Sequence, residues 1–130
     1  MFRINKTFIK YSLLFYWLLI LVLTSFPADT IPQPGISDKI AHFAAYFGLS
    51  VLAFLFWENN NVSLSVSKYE LKILLILAAY GLFDEIHQIF IPGRSCEFLD
   101  FVADLSGTLI GYIFIKVILN KRVIILRKKK

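Results

Sequence analysis

The chain of 130 residues has a single cysteine, Cys96. No disulfide can form within it, and no CxxC or paired Cys/His spacing offers structural zinc. Charge is also scarce, at 18% of residues, against the roughly 25% usual in soluble domains. Tyr11 to Phe26 carries none at all. No H-E-x-x-H pair or serine-nucleophile motif is present, so neither a metalloprotease nor a Ser/His/Asp hydrolase is indicated, and no metal or cofactor is expected. No ionisable group falls near the middle of an apolar run, which argues against an ion-conducting path through a single copy. Around Thr24-Ser25-Phe26-Pro27-Ala28 no pair of small residues resembles a cleavage site, so the first run reads as an uncleaved span rather than a signal peptide.

Hydrocarbon is abundant. Hydrophobic residues make up 58% of the chain and the mean hydropathy is +0.69. Apolar runs cover about 8–26, 40–57, 71–91 and 98–119. A hydrocarbon core of about 30 Å needs about 20 helical residues to cross it. The composition therefore predicts an all-α membrane protein, a single domain over 1–130 built as a four-transmembrane-helix bundle. Pro27, Pro32, Pro34 and Gly35 place a loop after the first run, and Ser37 is placed to cap the second helix. Asn59 to Ser67 reads as a polar loop, Pro92-Gly93 ends the third run, and 120–130 is a basic tail. Gly107 and Gly111 form a G-x-x-x-G on the fourth run, which permits close helix approach.

An even number of spans places both termini on one side. Of the 14 lysines and arginines only Lys39 and Arg94 then fall on the other side. The positive-inside rule puts both termini in the cytoplasm. The net charge of +5 comes from the chain ends, a distribution that fits membrane topology and excludes a nucleic-acid surface. The tail suits an anchor near anionic lipid.

The ionisable groups that remain gather at helix ends on the outer face. Asp38 and His42 sit four residues apart, as do Asp84 and Gln88, and Asp100 and Asp104. Residues at that spacing share one helix face, so three helices can turn polar edges toward one pocket. Arg94, in the turn before the last run, is the expected counter-ion. The candidate binding residues are Asp38, Lys39, His42, Asp84, Glu85, Gln88, Arg94, Asp100 and Asp104. Asp84, Glu85 and His42 are the candidates for acid/base chemistry. The same acids could instead pair with Arg94 or Lys39 to fix packing, and His42 could be a neutral histidine bonded to an acid. Tyr46 and Tyr80 read as packing or hydrogen-bonding residues, Ser95 and Cys96 as ordinary loop residues, and His87 is not counted among the site residues.

Three segments resemble the signatures of the VanZ-like family. Asp38-Lys39-Ile40-Ala41-His42-Phe43-Ala44-Ala45-Tyr46 is similar to its DK-x-x-HF-x-x-Y. Asp84-Glu85-Ile86-His87-Gln88-Ile89-Phe90-Ile91-Pro92-Gly93-Arg94 is similar to its DE-x-x-Q-x-F-x-P-x-R. Asp100 to Gly107 is similar to its D-x-x-x-N-x-x-G, with Asp104 where the family commonly has asparagine. The resemblance covers about residues 8–119. It implies a multi-pass protein of the bacterial cytoplasmic membrane and, through the family's name, a link to glycopeptide (teicoplanin) resistance. Two functions stay open. One is a cell-envelope accessory protein that binds a lipid-linked or cell-wall-related ligand. The other is a membrane enzyme acting on a lipid-linked headgroup by carboxylate and histidine acid-base chemistry. The bilayer is the expected partner, and homo-oligomers are compatible with the sequence.

Overall fold

The structure is a computed structural model that describes residues 5–27, 38–58 and 68–128, and for Glu58 and 120–128 the backbone alone. The expected Ser37 cap, the loop with Pro32, Pro34 and Gly35, and the polar loop from Asn59 to Ser67 lie outside the described residues. These residues form four helices and no strand: α1 Lys6–Thr24, α2 Asp38–Glu58, α3 Lys68–Gln88 and α4 Phe98–Lys128. Asn5 caps α1, its side chain accepting from the Thr7 backbone N–H at 2.9 Å. Gly93, at φ 74°, takes the left-handed conformation that a glycine adopts without strain and closes the turn between α3 and α4.

α1, α2 and the 98–119 part of α4 are long and apolar enough to cross a membrane. α3 is long enough but less apolar, because Asp84 and Glu85 lie within it. Two boundaries differ from the sequence reading. α3 ends at Gln88 rather than Ile91, where Pro92 stops the chain from continuing as helix. α4 runs on through the expected tail to Lys128, since Val123 to Leu126 offer no helix breaker.

The distribution of side chains inverts that of a soluble protein. Phe8, Phe15, Leu18, Leu75, Phe90 and Ile113 face outward, whereas His42, Glu70, Asp84, Glu85, Gln88, Asp100 and Asp104 are buried. In lipid the outward hydrocarbon has no cost, and polar groups must find partners inside the bundle.

The most extensive contact is between α2 and α4, and the G-x-x-x-G makes it. A Cβ on Gly107 would stand 2.9 Å from the Phe47 backbone nitrogen, and one on Gly111 would stand 2.8 Å from the Phe47 carbonyl oxygen. The missing side chains let the two backbones touch. Ser50 Oγ donates to the Thr108 carbonyl at 2.7 Å across the same seam. Tyr46, Leu49, Phe54, Leu77 and Ile115 fill the core around it.

Candidate functional site

The end of the bundle where α1 and α3 finish and α2 and α4 begin is its upper end. Three helix faces and one loop carry polar groups there. On α2, Lys39 and His42 are three residues apart and turn toward α4. Lys39 Nζ donates to Asp100 Oδ1 at 3.0 Å and to Glu97 Oε2 at 2.8 Å. The ammonium holds the exposed Glu97 carboxyl below the usual carboxylate range through that hydrogen bond. One turn further in, His42 Nδ1 donates to Asp104 Oδ1 at 3.0 Å and lies 3.7 Å from Glu85 Oε1. His42 is 6% exposed, and Glu85 and Asp104 are each 1% exposed. Gly81 makes room for this arrangement. A Cβ there would meet the Asp104 side chain at 3.3 Å and the Tyr46 ring at 3.4 Å.

On α3 the adjacent acids turn to different partners. Asp84 Oδ1 accepts from Thr24 Oγ1 of α1 at 2.7 Å. Glu85 Oε2 accepts from the Glu97 backbone N–H at 2.9 Å, tying α3 to the entry of α4. These bonds use only part of the oxygen set. Asp84 Oδ2, Glu85 Oε1, Asp104 Oδ2, Gln88 Nε2 and the Tyr46 hydroxyl are buried with no hydrogen-bond partner among the described residues. Buried polar atoms are normally paired, and leaving one unpaired costs about 1–3 kcal/mol. A concentration of them at one end of the bundle marks a place arranged for something other than packing.

A cavity of about 230 Å³ opens beside this cluster between α1, α2 and α3. Ile20, Leu23, Ala41 and Ala45 give it apolar walls, and Thr24, Asp38, His42, Tyr46, Asp84 and Arg94 give it polar lining.

The structure thus brings His42, Asp84, Glu85, Gln88, Asp100 and Asp104 together and leaves three candidates at the edge. Asp38 is exposed and lines the cavity. Lys39 is held by Glu97 and Asp100. Arg94 corrects an expectation. Among the described residues it forms no ion pair with the acids, and its Nε donates to the Phe26 carbonyl at 3.0 Å. Lys39 and His42 reach the acids instead, because α2 packs directly on α4 while Arg94 is bonded to the Phe26 carbonyl just beyond α1. Sequence reasoning missed Thr24, whose hydroxyl ends α1 at the level of Asp84, and the Glu97 backbone. Tyr46 reads as a packing or hydrogen-bonding residue from sequence; its ring packs in the core, and its hydroxyl belongs to the unpaired set. His87 stands apart, its ring stacked on Phe83 at a centroid distance of 6.0 Å.

Two groups of donor atoms lie close enough to share an ion: Asp38, His42 and Asp100, and His42, Glu85 and Asp104. In the first, Lys39 already neutralises Asp100.

A family model described as VanZ/LLP1 matches residues 4–120. No curated protein and no solved structure matches the chain.

Proposed function

Because the chain belongs to the VanZ/LLP1 family, as its motifs suggested, we propose that this membrane protein is a cell-envelope accessory protein. Its upper-end cavity binds the polar headgroup of an amphiphile. One observation carries the reading: the cavity joins apolar walls to a polar lining that includes Arg94 and Asp84, an acid whose Oδ2 has no hydrogen-bond partner among the described residues. Sites for small molecules are mostly apolar with a few placed polar groups. In such a complex Arg94 contacts an anionic group and Asp84 accepts from a hydroxyl or amine. With both termini in the cytoplasm, as the basic residues argue, the cavity faces the outside, where lipid-linked cell-wall precursors are displayed. Protein purified from its native membrane in mild detergent should carry a co-purifying amphiphile detectable by native mass spectrometry. Arg94→Ala should reduce its occupancy about tenfold or more, as loss of one charge-assisted contact predicts. Equal occupancy in wild type and variant would overturn the reading. Glycopeptide susceptibility of cells with and without the protein tests the teicoplanin link separately.

A second reading is favoured by one contact. His42, bonded to Asp104 and lining the same cavity, has the geometry of an oriented general base. It expects turnover of a lipid-linked headgroup that His42→Gln abolishes while the bound amphiphile remains.

A further inference from the structure

We propose that His42, Glu85 and Asp104 hold one divalent first-row transition-metal ion between α2, α3 and α4. The inference goes beyond headgroup binding and reverses the expectation of a metal-free protein drawn from the absence of a local motif. No local motif could announce this site, because each helix contributes one ligand.

The geometry is the first ground. One ligand atom from each residue lies within 4.8 Å of the other two. The His42 Nδ1 separations are 3.0 Å to Asp104 Oδ1 and 3.7 Å to Glu85 Oε1. Ligands about 2.1 Å from a shared ion stand about 3.0 Å apart at a right angle and about 3.4 Å apart at the tetrahedral angle. The two observed separations span those values.

The second ground is unsatisfied chemistry. Glu85 Oε1 and Asp104 Oδ2 lack a hydrogen-bond partner among the described residues, on side chains each about 1% exposed. A divalent ion with neutral His42 balances the two carboxylates. Binding replaces the Nδ1 proton, which leaves to solvent, so affinity falls in acid. One imidazole with two carboxylates suits Zn²⁺ or Mn²⁺ better than the all-oxygen preference of Mg²⁺ or Ca²⁺. His42 also lines the cavity, which supplies an entry path.

The ligand side chains are themselves supported. Glu85 Oε2 is fixed by the Glu97 N–H, and the Asp104 side chain occupies space that the absent Gly81 Cβ leaves open. Such outer contacts orient ligands.

The test uses the full chain in detergent, stripped with a chelator and then equilibrated with Zn²⁺ or Mn²⁺ alone. Elemental analysis after gel filtration should return about one equivalent per chain, with a rise in Tm that the chelator reverses. Glu85→Gln together with Asp104→Asn should lose that equivalent, while His87→Gln, at a histidine that stands apart from the cluster and stacks on Phe83, should keep it. Should the double variant not fold, Co²⁺ or Mn²⁺ bound to the wild type should show nitrogen coupling from one imidazole in pulsed EPR. Less than a tenth of an equivalent of each ion on folded wild type would overturn the proposal. So would full retention in the double variant, or bound metal without imidazole nitrogen. None of these readouts involves an amphiphile, so the headgroup reading stands or falls on its own experiment.

Discussion

The bundle has a buried polar cluster at each end, and the two are built differently. At the lower end, near the start of α3, Glu70 is paired with Lys116 of α4, and the Tyr112 hydroxyl donates to Glu70 at 3.3 Å. The acid meets a base and a hydroxyl there, and the Lys116 ammonium also lies over the Tyr112 ring, 5.9 Å from its centroid. At the upper end Asp84, Glu85, Asp100 and Asp104 are all buried. Lys39 serves Asp100, His42 serves Asp104, and oxygens of Asp84, Glu85 and Asp104 are left over. A cluster that serves packing closes its hydrogen bonds. The upper cluster does not, so stability alone does not account for it.

The contrast is sharpest when one partner is removed at the lower end. Lys116→Ala removes the ammonium bonded to the 2%-exposed Glu70, and breaking a buried pair costs about 3–5 kcal/mol. The lower figure is expected here because the Lys116 side chain is 15% exposed. Denaturation in mixed micelles should show a loss of about 3 kcal/mol, with occupancy of the upper cavity unchanged in the folded fraction. Replacing both partners, as Glu70→Gln with Lys116→Met, should recover most of that loss. If the double variant were as unstable as the single one, the cluster would not be the simple packing device described.

Next in size is Gly107→Ala. The added Cβ meets the backbone of Phe43 and Phe47, so α4 must move off α2, at about 2 kcal/mol. That displacement separates His42 from Asp104, which joins the same two helices. Glu70–Lys116 joins α3 and α4 and should stay intact. Loss of His42-dependent properties with the lower pair preserved, followed by NMR of the imidazole, is the expected result.

How much of this was legible follows from which signals are local. Four runs of sufficient length, the first free of charge from Tyr11 to Phe26, predict the bundle, because helix formation and lipid exposure are properties of single segments. Spacings of four on α2, α3 and α4 place His42, Asp84 and Asp104 at one level for the same reason. Pairing between helices is not local. Arg94 is nearest in sequence to the acids of α3 and α4, yet Lys39 takes the acids because the Gly107 seam presses α2 onto α4. The role of Thr24 depends on where α1 docks. The Glu70–Lys116 pair, 46 residues apart, joined helix starts and ends that read only as charge for the topology count.

Smaller effects probe what lies between the two ends. Ser50→Ala removes a single buried donor to the Thr108 carbonyl and should cost about 1 kcal/mol. Single-site chemistry can also test the orientation of the whole comparison. Cys96 is exposed beside the upper cluster, so a membrane-impermeant maleimide should label it in intact spheroplasts. Labelling only after lysis would place the upper cluster in the cytoplasm.

The least change in stability is expected from Asp84→Asn, and it is the most informative. Asparagine keeps an oxygen to accept from Thr24 Oγ1, where Asp84 Oδ1 now accepts at 2.7 Å. Its amide replaces the oxygen that has no partner among the described residues. A buried charge disappears while the packing volume stays the same. Stability should therefore hold within about 1 kcal/mol or rise, the opposite of what Lys116→Ala does at the other end. Amphiphile occupancy should nevertheless fall, because Asp84 lines the cavity. A protein that becomes no less stable but loses its ligand when an acid is neutralised keeps that acid for function. If Asp84→Asn instead lost as much stability as Lys116→Ala, the two ends would be alike, and the unpaired oxygens above would belong to packing after all.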